Sequence, residues 1–264
     1  AENRATAIYV SHGGGPLPIM NDPNHKAMIT FMKELPQQLE KPDHILVISA
    51  HWESDSPAVL THPAPPMVYD YFGFPPETYT ITYDAPGAPA LAEKVATLLD
   101  QAGFKTQREG ERGFDHGLYV PLMMMYPEAD IPVTQLSLIR GLDPEDHIRL
   151  GRALRPLASE NLLIIGSGFS FHNMRAFVWE PPVPPDARND AFQNWLIDVC
   201  TSEGDQAGRE KQLTDWAKAP NARYCHPREE HLLPLHVCQG FANKPASLIF
   251  DDFILGKRAV AFKW

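Results

Sequence analysis

The sequence predicts an α/β fold in which a mixed, mostly parallel central sheet is flanked by helices, as a single domain over residues 1–264. Three observations carry this expectation. Apolar, β-branched runs of strand length recur, each bounded by Gly, Pro or Ser. Amphipathic stretches with helix-start and helix-stop residues lie between them. No internal repeat, low-complexity tract or shift of composition divides the chain.

The strands are TAIYVSH, HILVISAHW, IPVTQLSL and NLLIIGSG. Their near-continuous apolar character is that of strands covered on both faces, as in a parallel sheet whose ligands bind beyond the carboxyl ends of the strands. In PALAEKVATLLDQAGF, Leu91, Val95, Leu98 and Leu99 share one helical face and Gly103 follows as a stop signal. In LDPEDHIRLGRALRPLAS, Asp143 is placed to cap a helix and Pro144 to occupy its first position. DAFQNWLIDVC adds a stripe of Phe192, Trp195, Leu196 and Val199, and PLMMMYP reads as a core helix. The C-terminal SLIFDDFILGKRAVAFKW reads as a hairpin closing at Gly256, which makes the sheet mixed. The Pro-rich segments at 62–79 and 179–186 carry aromatics among their prolines, so they are expected to be ordered loops. The aromatic stretch from Met67 to Tyr83 reads equally as a lid over a flat substrate and as a self-packed surface loop.

Composition narrows the function. A chain of 264 residues buries roughly 70–75% of its unfolded surface and needs no disulfide or structural metal for stability. With 23 basic and 33 acidic residues, a formal charge of −10, it is repelled by nucleic acid and by anionic membranes, so a small-molecule partner is expected. Cys200, Cys225 and Cys238 are odd in number and lack C-x-x-C spacing, which points to a reduced, cytoplasmic setting. No apolar run reaches membrane-spanning length and no signal pattern opens the chain; a removed leader stays open because the first residue is not Met. Oligomeric state is not readable.

Eleven histidines are present, and five of them fall at element ends. His12 ends the first strand within SHGGGP, His51 ends the second, and His172 lies just past LLIIGSG, so all three project from one rim. His116 and His231 stand at loop-to-helix starts that would flank it. Neutral imidazole is the commonest transition-metal ligand, and two or three of them leave positions open for substrate. His25, His44, His62, His147, His226 and His236 read as ordinary hydrogen-bonding residues. H-E-x-x-H and G-x-S-x-G are both absent, and Ser167 and Ser170 near His172 read as loop hydrogen-bonding groups. SHGGGP also lacks the spacing of a phosphate-binding loop.

Six segments, SHGGGPLP, ISAHWES, DYFGFPPETYTITYDAPG, DHGLYVPLMMMYPEADIPVTQLSL, IIGSGFSFHN and EEHLLPLHV, occur in this order over residues 9 to about 237. Together they resemble the LigB-type class III extradiol ring-cleaving dioxygenases, in the branch that acts on DOPA. The resemblance implies a mixed α/β fold and an Fe(II) that takes up a DOPA-like catechol and O₂. It implies metal ligation by His12, His51 and His231, an acid–base role for His172, and a place beside the oxygen and substrate pocket for His116. Glu230 precedes His231 in REEH and is an alternative ligand; Glu53 is left unassigned.

The chemistry agrees with that division. Coordination lowers the pKa of a bound oxygen, a second proton needs a base of histidine type, and zinc has no redox chemistry to reach O₂. Zn(II) is expected to be able to fill the site of isolated protein without supporting turnover. The three glycines after His12 are expected to keep the metal's flank low for an aromatic ring. Arg112, Arg175 and Arg223 are the cations available to a substrate carboxylate, and the sequence does not choose among them. Two other functions fit the same histidines: a zinc-dependent hydrolase, with His172 or Glu53 as proton shuttle, and a catalytically silent binding protein.

Overall fold

The computed structural model describes residues 3–264. Four buried strands make the centre of its sheet: β1 (Thr6–Ser11), β2 (His44–Ser54), β5 (Val133–Ile139) and β6 (Leu162–Gly168). Two short strands, β3 (Ala58–Leu60) and β4 (Gln107–Glu109), extend one edge, and β7 (Ser247–Ile254) with β8 (Lys257–Lys263) the other. The order is β4-β3-β5-β2-β6-β1-β8-β7. The pairings β5–β2, β2–β6, β6–β1 and β3–β4 are parallel, whereas β3–β5, β1–β8 and β8–β7 are antiparallel. The expected mixed, mostly parallel sheet is therefore found in one domain. The hairpin turns at Leu255 and Gly256, both with positive φ (51° and 74°), as a two-residue turn between twisted strands requires.

Helices cover both faces: α1 (Lys26–Glu34), α2 (Pro89–Gln101), α3 (His116–Met125), α4 (Pro144–Ala153), α5 (Ala187–Thr201), α6 (Gln206–Thr214), α7 (Ala222–Cys225) and α8 (Leu233–Ala242). Alternation along β6 assigns the two faces. The Ser167 hydroxyl donates to the Gly117 carbonyl of α3 at 2.5 Å, while Gly168 faces the segment leading into α8. In α2, Leu91, Val95 and Leu99 are buried and Leu98 is half-buried. Asp143 caps α4 by accepting from the Glu145 amide, with Pro144 as the first helical residue. In α5, Phe192, Leu196 and Val199 are buried, and the half-buried Trp195 stacks on Phe192 at 5.9 Å. The PLMMM of PLMMMYP ends α3, which is buried apart from a half-buried Met123, and Tyr126 caps it.

Sequence periodicity gave no account of α1, β3 or β4. The two strands are three residues each, too short to show a period, although α1 does carry a buried stripe of Met28, Ile29 and Met32.

The helices α4 and α8 cross where each presents a glycine to the other's backbone. A β-carbon at Gly151 would stand 2.1 Å from the Val237 carbonyl, and one at Gly240 2.2 Å from that of Ile148. Gly151→Ala or Gly240→Ala is expected to force these helices apart and to lower unfolding stability by roughly 1–3 kcal/mol in denaturant titration, since overpacking of a close contact costs that much.

His226 and His236 are fully buried and give one ring nitrogen each to a backbone carbonyl, of Ser170 (2.8 Å) and Leu213 (2.7 Å). Burial pushes their pKa values down to about 3 and about 4. Both stay neutral in the fold while the unfolded chain takes up protons below about 6.5, so the stability they confer is complete above that pH and is lost as pH falls towards 4 and 3. The unfolding free energy of metal-free protein, from urea titration, is expected to fall between pH 6.5 and pH 5 by up to about 1.4 kcal/mol per pH unit for each such histidine, lowering the urea midpoint. An unchanged midpoint across this interval would contradict their burial as neutral rings.

Candidate metal centre

Strand register sets the site. Val10 pairs with Ser167, and Ser167 with Ser49, so His12 and Phe169, the first residues past β1 and β6, stand in one row with His51, which lies inside β2 and not at its end as expected, because that strand runs on to Ser54. The His12 amide continues the ladder by donating to the Gly168 carbonyl at 3.1 Å. The His12 and His51 rings meet with their Nε2 atoms 3.1 Å apart. His116, at the start of α3, and His231, just before α8, close in from opposite faces of the sheet. Ring centroids of His12, His51 and His231 are 4.7, 5.0 and 5.1 Å from one another, and that of His116 is 4.0 Å from His51. His172 stacks on His231 at 3.4 Å and 8°. All five predicted histidines thus share one site.

Their nitrogens form two groups. Those of His12, His51 and His116 lie within 4.8 Å of one another; so do those of His172 and His231 with a carboxylate oxygen of Glu230. The His12 and His51 pKa values lie well below the ordinary value, first through burial and then through neighbouring imidazoles, and the same holds for His231. Neutral rings with nitrogens converging at 3.1 Å, and a buried His231 Nε2 without any hydrogen-bond partner, fit a divalent transition ion.

Each ring is held from behind. His116 donates its backbone N–H (3.1 Å) and Nδ1–H (2.7 Å) to one oxygen of Asp70. Burial works to raise the Asp70 carboxyl, but the His116 hydrogen bonds and nearby imidazoles outweigh it and leave it below the usual carboxylate range. The His231 carbonyl accepts from the Tyr9 hydroxyl (2.7 Å) and the Phe169 amide (3.1 Å). That approach needs Gly168, where a β-carbon would stand 2.1 Å from the same carbonyl. Glu230 Oε1 lies 3.2 Å from His231 Nδ1 and 3.8 Å from His172 Nδ1, behind the rings, and burial raises its pKa. Glu53, left open by the sequence, is taken in a two-pronged pair with Arg228 at 2.6 Å.

The buried carboxylate of Asp115 ties these supports together. One oxygen accepts from the Ser49 hydroxyl (2.8 Å) and the Gly117 amide (2.9 Å); the other accepts from Gln135 (2.5 Å) and Arg112 (3.1 Å). Ser49 Oγ in turn accepts from the His51 amide at 3.1 Å. Sequence reasoning missed Asp115 and Asp70. The D-H-G start of α3 is a readable cap signal for the first; nothing links Asp70 to a histidine 46 positions away.

The glycines after His12 line the cavity above the histidines, and two of them also make room inside the protein. A β-carbon at Gly13 would meet His25 Cδ2 at 2.7 Å, and one at Gly15 would meet Phe74 at 2.9 Å, so both admit the protein's own side chains. His25, oriented by Asp22 at 2.7 Å, accepts from the Gly14 amide at 3.0 Å. The aromatic segment answers to both of its readings. Tyr69 and Tyr71 donate to Ile81 and Thr78 within the loop, each at 2.5 Å, while Tyr71, Phe72 and Phe74 wall a cavity of about 330 Å³ over the histidines.

An α/β sheet with a histidine centre at its carboxyl edge is the framework of a metal-dependent enzyme. Residues 5–252 match the family of the catalytic LigB subunit of aromatic ring-opening dioxygenase, and the chain belongs to that family. It is 41% identical over 262 residues to the 4,5-DOPA dioxygenase extradiol of Beta vulgaris, covering 96% of this chain and 93% of that one. It is 45% identical over 231 residues to the protein of that name from Portulaca grandiflora, covering 84% and 83%. Dioxygenase tasH of Hapsidospora irregularis is 38% identical over 286 residues, covering 98% and 85%. The crystal structure of an uncharacterized Escherichia coli K12 protein superposes with a TM-score of 0.79 at 26% identity, covering 98% of both chains. The chain is therefore an extradiol ring-opening dioxygenase, and the hydrolase and silent-binder alternatives fall. Among the described residues no helix is long and apolar enough to cross a membrane.

Asp115→Ala would leave Ser49, Gln135 and the Arg112 charge without their shared acceptor. It is expected to lower stability by roughly 3–5 kcal/mol, as loss of one partner from a buried charged network does. Chemical denaturation measures this, and a loss below about 1 kcal/mol would remove Asp115 from the centre of the network.

Proposed function

We propose that this chain, as one catalytic domain over residues 1–264, is an Fe(II)-dependent dioxygenase that opens the ring of a catechol with O₂. In this reading His12, His51 and His231 hold the iron, His172 is the acid–base residue, and His116 borders the oxygen and substrate space. The observation that supports it most is the ring of neutral imidazoles from three distant chain segments, set about 5 Å apart at the floor of an aromatic cavity. Bound there, Fe(II) would lower the pKa of the catechol hydroxyls and carry electrons between ring and O₂, which zinc on the same nitrogens would not do.

The side chains supply the rest. His172 lies flat against His231 and lines the same cavity, within reach of a catechol bound there. Burial pushes its pKa down to about 4, leaving a neutral ring at pH 7 that accepts a proton; Glu230 Oε1, 3.8 Å from its Nδ1, favours the cation that results. His116 commits Nδ1–H to Asp70 and so presents Nε2, as an acceptor, to the cluster. Glu230 against His231 Nδ1 favours Nε2 as the nitrogen His231 offers, with the carboxylate orienting the ring instead of binding metal itself.

Anaerobic reconstitution with Fe(II), followed by a substituted catechol and air, is expected to yield a coloured ring-opened semialdehyde. Zinc-loaded protein is expected to yield none. His172→Ala should retain iron and slow turnover by about 10²–10⁴-fold. His231→Ala should lose iron, measured as metal per chain, whereas His116→Ala should keep it. The reverse outcome for these last two would make His12, His51 and His116 the ligand set.

A further inference from the structure

We infer that the cavity selects a catechol bearing an apolar, uncharged substituent, an aryl or alkyl group, over one bearing an amino acid head group, and so departs from the DOPA-like substrate that the resemblance implies; this rests on the catechol function proposed above. Apart from the five imidazoles on its floor, the cavity of about 330 Å³ is walled by aliphatic and aromatic side chains and the Gly13–Gly15 backbone, and no Lys, Arg, Asp or Glu lines it. The Tyr71 hydroxyl and the Gly13 and Gly14 amides, polar groups in its wall, are already engaged. Tyr71 turns its hydroxyl to the Thr78 carbonyl at 2.5 Å. The Gly13 and Gly14 amides, which would otherwise make an anion-binding turn, donate to Ser11 Oγ and His25 Nε2, both at 3.0 Å.

The cations the sequence offered to a carboxylate are elsewhere. Arg112 is tied to Asp115 at 3.1 Å and stacks on Trp52 at 4.6 Å. Arg223 pairs with Glu229 at 2.8 Å and lies over Trp216. Arg175, between the lining residues Met174 and Phe177, is exposed and outside the lining. A zwitterion entering this space would shed the hydration of two charges without gaining a partner for either.

The rim points the same way. Phe72, Met174 and Trp179 line the cavity while remaining 91%, 60% and 48% exposed, so the protein holds three large apolar side chains in water around one opening. An apolar substituent lying among them removes that surface from water, which an unsubstituted catechol is too small to do.

Catechol, 4-tert-butylcatechol and L-DOPA, given to the Fe(II)-loaded enzyme, decide the matter. The expected kcat/KM is at least about tenfold higher for 4-tert-butylcatechol than for L-DOPA, the scale of discrimination by apolar pocket contacts. In a Phe72→Ala/Trp179→Ala variant that ratio is expected to collapse towards one. Equal or greater efficiency with L-DOPA overturns the inference; if the L-DOPA activity then disappears in Arg175→Ala, Arg175 is the carboxylate receptor instead. Cleavage of none of the three, catechol included, counts against the proposed function and not against selection. Calorimetric titration of metal-free protein with the same compounds then carries the test: tighter binding of 4-tert-butylcatechol than of L-DOPA is expected, and the opposite order refutes it.

Discussion

Parallel pairing of β1, β6 and β2 brings the ends of β1 and β6 level with His51 in β2, and the rest of the site is arranged around that fact. The register Val10–Ser167–Ser49 leaves His12 and His51 on either side of Phe169, with β6 between them. Strands about 4.8 Å apart place their backbones roughly 10 Å from each other, a gap that two inward-turned imidazoles close. A slip of one residue in either ladder would turn one of these rings to the opposite face of the sheet. The long apolar runs of the three strands, buried on both sides, fix the register and so fix the distance between the first two histidines.

Burial then decides the state of those rings. Burial of His12, His51 and His231 disfavours their charged forms, and each imidazole raises the electrostatic cost of protonating the next. The protein therefore gathers neutral ring nitrogens, with His231 Nε2 left without a hydrogen-bond partner, an arrangement that a cation would satisfy. Carboxylates are kept to the outside of the cluster. Asp70 orients His116, Glu230 stands behind His231 and His172, and Glu53 is neutralised by Arg228. The centre keeps the electrostatics of neutral nitrogen ligands, with negative charge one layer further out.

The supports are polar where the fold needs direction and absent of side chain where it needs closeness. Asp115 joins β2, β5, the start of α3 and Arg112 through four hydrogen bonds. Gly168 allows the His231 carbonyl to reach the Tyr9 hydroxyl and the Phe169 amide. Gly13 and Gly15 give way to His25 and Phe74, which stiffens the turn after His12 and leaves the cavity wall apolar. Rigidity of this kind suits a centre whose ligand nitrogens must hold their places without the metal.

Much of this was legible in the residue order. The four central strands are long apolar runs, and the helices α2, α4 and α5 carry clear periodicity, with a stop signal after α2 and a start signal at α4. The histidines at strand ends and helix starts were visible because an element boundary is a local signal. Short strands such as β3 and β4, and the Asp70–His116 pair, were not, since nothing local distinguishes them. By itself the sequence determined which segments form elements and which of their ends carry imidazole, because propensity, capping and apolar period act within a few residues. Only the tertiary structure decided which carboxylates stand behind those rings, what the glycines make room for, and which cations stay outside the cavity. Those outcomes depend on contacts between residues tens to hundreds of positions apart, set by sheet register and by the faces on which α3 and α8 pack.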